Sequence, residues 1–103
     1  MLFRSYKAAR ENPETGEAAI AAAMKQATSV PLSVAEKARE VGHIAEALGP
    51  ISNPNMKSDL TTASALARAA IEGALANVEI NLESLKDAAF TESVRKRVAA
   101  VQA

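Results

Sequence analysis

Alanine dominates this sequence, and aromatic side chains are nearly absent. About a quarter of the 103 residues are alanine, whereas aromatic residues make up 3%. Alanine is the strongest helix former, while β-strands favour aromatic and β-branched residues. The composition therefore predicts an all-α protein, a helical bundle whose axes approach closely. Because alanine buries little apolar area, we expect a second copy or additional chain to complete the core.

Charge and residue usage exclude several classes of function. Lys plus Arg number 12, as do Asp plus Glu, so no global field favours nucleic acid or an anionic membrane. The absence of cysteine removes disulfides, thiolate catalysis and sulfur-ligated metal. A single histidine, His43, cannot form a metal cluster and is expected to be structural or solvated. With no signal-like start and no long apolar run, we expect a soluble, cytoplasmic protein.

Proline and glycine divide the first half of the chain into predicted helices. A helical apolar pattern begins at Glu17, and Pro31 is predicted to end or kink it, because the residue before a proline avoids the α region. A new helix is predicted to start at Pro31, where a missing N–H costs nothing, and to run to Leu48. Gly49-Pro50 is the punctuation expected at its end.

The stretch from Asn53 to Leu85 is predicted to contain the long central helix of the bundle. Ser58 is its predicted N-cap, and Asp59 suits the positive first turn. A glycine inside a helix costs roughly 1 kcal/mol against alanine, so Gly73 indicates a close crossing by another helix. The predicted inward stripe consists of Leu60, Ala63, Leu66, Ala70, Gly73 or Ala74, Asn77 and Asn81.

The end of the chain carries a short basic run on a predicted terminal helix from Ser93 to Ala103. Arg95, Lys96 and Arg97 are adjacent and would form a charged face. A patch this short is typical of a solvated helix surface rather than of a nucleic-acid site.

Asn77 and Asn81 are the polar residues least easily explained by helix boundaries. They are four residues apart and therefore share a face. A buried amide without a partner costs about 1–3 kcal/mol, so another helix, a subunit or a ligand is expected to pair with each. Asp59 and Asn77 also share a face, but five helical turns separate them by roughly 27 Å. One pocket within one helix cannot hold both.

The order and spacing of several segments resemble the formiminotransferase-cyclodeaminase C-terminal domain family. That family includes formimidoyltetrahydrofolate cyclodeaminase and methenyltetrahydrofolate cyclohydrolase. The resemblance covers most of the chain, from about Thr15 to Phe90. The segments that carry it are ATSVPL at 27–32, NPN at 53–55, SDL at 58–60, the alanine run at 69–74, NVEINL at 77–82 and KD at 86–87.

The resemblance implies a dimeric helical bundle that acts on one-carbon units carried by tetrahydrofolate. It implies Asp59 as the catalytic, proton-handling carboxylate. The substrate-binding candidates are Ser58, Asn55, Asn53, Asn77 and Asn81. No metal and no tightly bound cofactor are expected; a tetrahydrofolate derivative is the substrate. The resemblance does not distinguish deaminase from cyclohydrolase, since both reactions handle the same carbon.

One departure from the family bears on completeness. Family members are longer and carry a glycine-rich helical hairpin N-terminal to this region. Residues 1–103 are therefore expected to form a single partial helical domain that is inactive alone, and residues 1–5 are a candidate non-native scar. The alternative to a truncated folate enzyme is a catalytically silent helical module that only dimerises.

Overall fold

The computed structural model describes residues 13–103, which form three α-helices and no strand. The predicted all-α class is confirmed for this part of the chain, while the candidate scar at residues 1–5 lies outside it. No described helix is long and apolar enough to cross a membrane. The helices are α1 (Pro13–Leu48), α2 (Lys57–Glu83) and α3 (Ala88–Gln102), with 3-10 turns at Gly49–Ile51 and Pro54–Met56 between α1 and α2.

Helices α1 and α2 form an antiparallel hairpin, and α3 packs along one side of it. The two helices of the hairpin are in contact at Gly42, where an added Cβ would lie 3.6 Å from the Cβ of Ala67. The close crossing predicted at Gly73 is not found, since no other described part of the chain lies within 4 Å of a Cβ built there. The core consists of Leu32, Ala35, Ala74, Leu75, Val78, Leu82, Val94, Val98 and Val101.

Pro31 does not divide α1, contrary to the sequence prediction. The helix is continuous for 36 residues with Pro31 inside it. A proline in a helix interior removes the hydrogen bond to the carbonyl four residues earlier, at a cost of about 3 kcal/mol. That carbonyl belongs to Ala27, and a helix that passes through Pro31 must satisfy it from elsewhere.

Asn81 of α2 supplies the missing donor. Its side-chain Nδ2 donates to the Ala27 carbonyl oxygen at 2.9 Å in a partly buried position. The next residue in the chain, Thr28, is fully buried and donates its hydroxyl to the Met24 carbonyl at 2.8 Å. This buried side chain therefore also has a hydrogen-bond partner. The proline that should end the helix is therefore accommodated by a contact to Ala27 from a residue 54 positions further along the chain.

Helix α3 begins five residues earlier than predicted, because its cap is Asp87 rather than a residue near Ser93. Asp87 accepts a hydrogen bond from the Phe90 backbone N–H at 3.0 Å and an ion pair from Lys25 of α1 at 2.7 Å. The Lys25 ammonium also lies 5.6 Å from the centroid of the Phe90 ring. An aspartate ahead of a helical run is an ordinary N-cap signal, so the sequence contained this boundary.

Two bidentate ion pairs hold the middle of α3 against its neighbours. Arg95 donates to both carboxylate oxygens of Glu79 on α2, at 2.6 and 3.2 Å. Arg97 donates through Nε to Glu36 of α1 at 3.0 Å, and through its Nη2 to the second oxygen. The hydrogen bond from Arg97 lowers the pKa of Glu36, and the attraction of the guanidinium acts in the same direction.

The first prediction concerns the Asn81 contact. Asn81→Ala should lower the free energy of unfolding by about 1–3 kcal/mol, because the Ala27 carbonyl loses its donor. In a Pro31→Ala background the residue-31 N–H can serve this carbonyl, so the same substitution should cost clearly less. Urea denaturation followed by circular dichroism measures both. Asn77→Ala is the matched control and should change stability little, since Asn77 is exposed. Equal costs of Asn81→Ala in both backgrounds would contradict the assignment.

The second prediction concerns pH. A carboxyl group whose pKa is lowered in the folded state stabilises the protein above its unfolded pKa, and this contribution disappears as the pH falls through the folded value. Glu36→Gln should therefore flatten the decline in stability below about pH 4.5, the ordinary glutamate value. The effect should stay within about 1 kcal/mol, because both side chains are more than a third exposed. Glu46→Gln, on an exposed residue, should retain the wild-type slope.

Candidate functional site

The buried face of α2 differs from the predicted one by a rotation of about one residue. The predicted stripe members Leu66, Ala70 and Gly73 are exposed, with 65% of Leu66 accessible. Both stripes have helical spacing, and alanine occupies both, so periodicity alone could not select the correct one. The buried residues of α2 are Ala67, Ala74, Leu75, Val78 and Leu82.

The exposed stripes of α1 and α2 flank one groove on the hairpin. The groove is an open cleft of about 590 Å³, and no residue of α3 lines it. Its lining is apolar apart from two asparagines, and consists of Met24, Ala27, Val30, Pro31, Val34, Ala70, Ala74, Asn77 and Asn81. We call this surface the open face. It continues along α1 as Val41, Ile44 and Leu48, and along α2 as Leu66, Gly73 and Ile80.

Asn77 and Asn81 lie in this groove, but their amides are engaged differently. The side-chain nitrogen of Asn81 donates to the Ala27 carbonyl, so another helix provides the partner that the sequence predicted for this amide. Asn77 is exposed and its side chain forms no hydrogen bond with another described residue, so its side-chain amide can reach a ligand or a second chain. Their substrate-binding roles stay predictions.

The segment from Asn53 to Asp59 contains the other predicted site residues. Helix α2 begins at Lys57, so Ser58 lies inside its first turn and is not the N-cap; Met56 holds that position without a side-chain hydrogen bond. The capping side chain is Asn53, whose Oδ1 accepts from the Asn55 N–H at 2.9 Å and caps the 3-10 turn that leads into α2. Ser58 was predicted to be the N-cap because serine often precedes a helix. Here the 3-10 turn at Pro54–Met56 runs directly into α2, so the helix begins before Ser58.

Asp59 lies in the first turn of α2, as predicted, and its side chain is solvent exposed. Ser58 and Asn55 are also exposed, and none of the three lines the groove that holds Asn77. Asn53 lines a separate cleft at the turn between α1 and α2. Because α2 is one continuous helix, Asp59 and Asn77 are about 27 Å apart along its axis. The fold does not bring the candidate site residues of one chain together.

The basic run of α3 and the single histidine provide no additional site. Arg95 and Arg97 are bound to glutamates of α2 and α1, and Lys96 lies 3.8 Å from Glu92 one turn earlier. The run was predicted to be a solvated face; it instead attaches α3 to the hairpin. His43 is exposed, in agreement with the solvated role. Among residues 13–103 no three His, Cys, Asp or Glu side chains are close enough to hold a metal ion.

Comparison with known proteins gives a consistent family match. The model of the formiminotransferase-cyclodeaminase family matches residues 1–100. The formimidoyltransferase-cyclodeaminase of Sus scrofa is 31% identical over 102 residues, which cover 96% of this chain and 19% of that protein. The Rattus norvegicus protein of the same name is 32% identical over 78 residues, covering 76% of this chain and 14% of its own length.

A bacterial relative carries a different activity in its name. The methenyltetrahydrofolate cyclohydrolase of Methylorubrum extorquens is 38% identical over 81 residues, covering 79% of this chain and 39% of that protein. The chain thus spans less than half the length of each of these curated relatives. No solved structure matches it.

Proposed function

The chain belongs to the formiminotransferase-cyclodeaminase family, and on that premise we propose that it acts on one-carbon units carried by tetrahydrofolate. The reaction is either cyclodeamination, a lyase reaction, or hydrolysis of methenyltetrahydrofolate. The names of the relatives support both. The proposed substrate is a tetrahydrofolate derivative, without a tightly bound cofactor, and the proposed location is the cytoplasm. The single observation that carries this proposal is the family match.

The groove of the open face supports a binding role for Asn77. Its apolar walls include Val30, Val34 and Ala70, and Asn77 offers both an amide donor and a carbonyl acceptor at its edge. Small-molecule sites are commonly apolar clefts with a few placed polar groups that fix orientation. A pterin ring, flat and with hydrogen-bonding groups along its edge, suits such a groove. Asn81 contributes to it indirectly by keeping α1 intact beside it.

Asp59 is the proposed proton-handling group. A methenyl carbon is positively charged, and a nearby carboxylate offsets that charge. In the hydrolytic reaction, water attacks this carbon, a base accepts the water proton, and the carbon–nitrogen bond breaks to leave the formyl compound. In the deaminase reaction, the folate N10 attacks the formimidoyl carbon and ammonia leaves. Both reactions need proton transfer at a tetrahedral carbon.

A homodimer would bring Asp59 and Asn77, which are far apart within one chain, together in one site. The two residues are 18 positions apart, five full turns, so they lie on the same side of α2 as Leu66, Ala70 and Gly73. Residue 68 is midway between them. If two α2 helices pack antiparallel about that point, Asp59 of one copy meets Asn77 of the other, twice over by symmetry. A Cβ built at Gly73 would have no neighbour from another described element within 4 Å, which leaves room for such an approach.

The amount of exposed apolar surface supports the same arrangement. Among the described residues, Val30, Ile44 and Leu66 are each more than half exposed. At roughly 100 Å² each, the large apolar side chains of the open face would supply most of the ~800 Å² that each partner buries in a standard interface. The same observation favours the second candidate function, a helical dimerisation module without catalysis.

The third prediction tests the proposed dimer by cross-linking. The chain has no cysteine, so introduced cysteines report without background. An Asp59→Cys chain mixed with an Asn77→Cys chain should form a disulfide-linked dimer on mild oxidation. These positions are too far apart for a link within one helix, because a disulfide requires Cα atoms within about 7 Å. Non-reducing electrophoresis measures the yield.

The matched control replaces Asp59→Cys by Ala65→Cys, which lies on an exposed part of α2 away from the open face. This pair should cross-link poorly with Asn77→Cys. In parallel, Leu66→Glu should convert the dimer to a monomer in light scattering, whereas Ala65→Glu should not. Equal cross-linking from positions 59 and 65, or a monomeric wild type, would contradict the arrangement.

The fourth prediction separates the two candidate functions. Titration of the full chain with folate, followed by NMR, should shift resonances around the groove. Asn77→Ala should weaken binding by about fivefold, since an amide hydrogen bond contributes about 1 kcal/mol. Glu72→Gln, outside the groove, should bind as wild type. The absorbance of methenyltetrahydrofolate then reports turnover. Dimerisation without folate binding would support the silent module and contradict the binding role of Asn77 in this chain.

A further inference from the structure

A second cleft lies at the turn between α1 and α2, and its charge differs from that of the chain. It is an open cleft of about 700 Å³. One wall is a polar row on α2, formed by Lys57, Thr61, Ser64 and Arg68 beside Leu60; the other is the connecting segment with Gly49, Pro50, Ser52, Asn53 and Pro54. Among residues 13–103, the lining contains two cations and no acidic residue, although the chain as a whole has a formal net charge of +0.

The four members of the polar row point into one cleft because of their spacing. Residues 57, 61, 64 and 68 are separated by four, three and four positions, which places them on one side of the helix. Arg68 is nine positions from Asn77, two and a half turns, and therefore lies on the opposite side of α2 from the open face. The row is separate from the groove and from the proposed dimer contact.

Arg68 is the unusual arginine of the described residues. Arg95 and Arg97 are bound to glutamates, and Arg39 donates to the Ala103 carbonyl at 3.3 Å. The side chain of Arg68 has no hydrogen-bond or ion-pair partner among residues 13–103, and the same holds for the side chain of Lys57. A guanidinium that faces a cleft without a carboxylate partner is available for an external anion.

Neutral donors complete the cleft. Asn53 uses its Oδ1 to accept from the Asn55 N–H, so its amide nitrogen remains available as a donor. Ser64 is half-buried and lines the cleft between the two cations. Ser52, by contrast, donates to the Leu48 carbonyl at 2.6 Å and serves the end of α1. Thr61 also has its hydroxyl engaged, since it donates to the Lys57 carbonyl at 2.9 Å. The cleft therefore presents the Asn53 amide and the Ser64 hydroxyl as neutral donors, with the cations Lys57 and Arg68 at the two ends of the row.

We propose that this cleft binds an extended anionic ligand that carries at least two oxyanion groups, one at Lys57 and one at Arg68. The 11 positions between them correspond to about 16 Å along the helix, which exceeds the span of a single phosphate or carboxylate. Carboxylate and phosphate groups share the chemistry that Arg and Lys recognise. This proposal rests on the cations that line the cleft, and it does not depend on which folate reaction the protein catalyses.

The experiment titrates the full chain with two probes, inorganic tripolyphosphate and a tetra-aspartate peptide, by calorimetry at low salt, where the Debye length exceeds about 10 Å. At least one probe should bind. Arg68→Gln and Lys57→Gln should each weaken binding about tenfold or more, the loss expected for a charge-assisted hydrogen bond of 1.5–3 kcal/mol. Lys37→Gln removes one positive charge from an exposed position on α1 and should change the affinity less than about twofold.

The outcomes separate the possible ligands. Binding of tripolyphosphate alone assigns a phosphate ligand, binding of the peptide alone assigns a polycarboxylate, and comparable binding of both assigns a general polyanion cleft. The exposed positions of Lys57 and Arg68 make unfolding of the variants improbable, and circular dichroism checks it. Binding of neither probe, or an equal loss in Lys37→Gln, overturns the proposal. Folate binding at Asn77 should be unaffected by Arg68→Gln. The experiment can therefore contradict the anion-binding proposal without contradicting the proposed function, and the reverse.

Discussion

The hydrogen bond from the Asn81 amide to the Ala27 carbonyl is the contact on which the rest of the structure depends. Pro31 takes away the backbone donor that this carbonyl would otherwise have, and Asn81 replaces it at 2.9 Å. With this replacement, α1 stays a single helix and spans the full length of α2. The groove, whose wall includes Ala27, Pro31 and Val34, exists only because α1 continues through the proline.

Helix α2 separates two chemically different surfaces. Towards the groove it presents Leu66, Ala70 and Asn77, which suit contact with a second copy or a flat ligand. On the opposite side it presents the row between Lys57 and Arg68, which suits an anion. Between them lies the buried stripe that packs against α1 and α3. An alanine-rich helix can support these roles simultaneously because its small side chains allow close packing on one side and leave the others accessible.

The fold class and the family followed from the sequence, while the details that depend on distant residues did not. The rule that proline ends a helix is local, and it failed at Pro31 because the carbonyl of Ala27 is bound by Asn81, which lies 54 positions from Ala27. The buried stripe of α2 was wrong by one residue, because the exposed stripe through Leu66 has the same spacing. The cap at Asp87 has a local signal, an aspartate directly ahead of a helical run. Ion pairs between helices, such as Arg97 with Glu36, leave no local signal at all.

The repair at Pro31 has a consequence for how the chain acquires its structure. During synthesis, residues 13–48 emerge well before Asn81, so the Ala27 carbonyl must wait for α2 before it gains its amide partner. Until then, α1 is weakened at Pro31, and isolated helices of this size have little stability of their own in water. The long helix is thus a product of tertiary docking. Its continuity and the hairpin should form in one cooperative step, late in folding and at the slow end of the helical range.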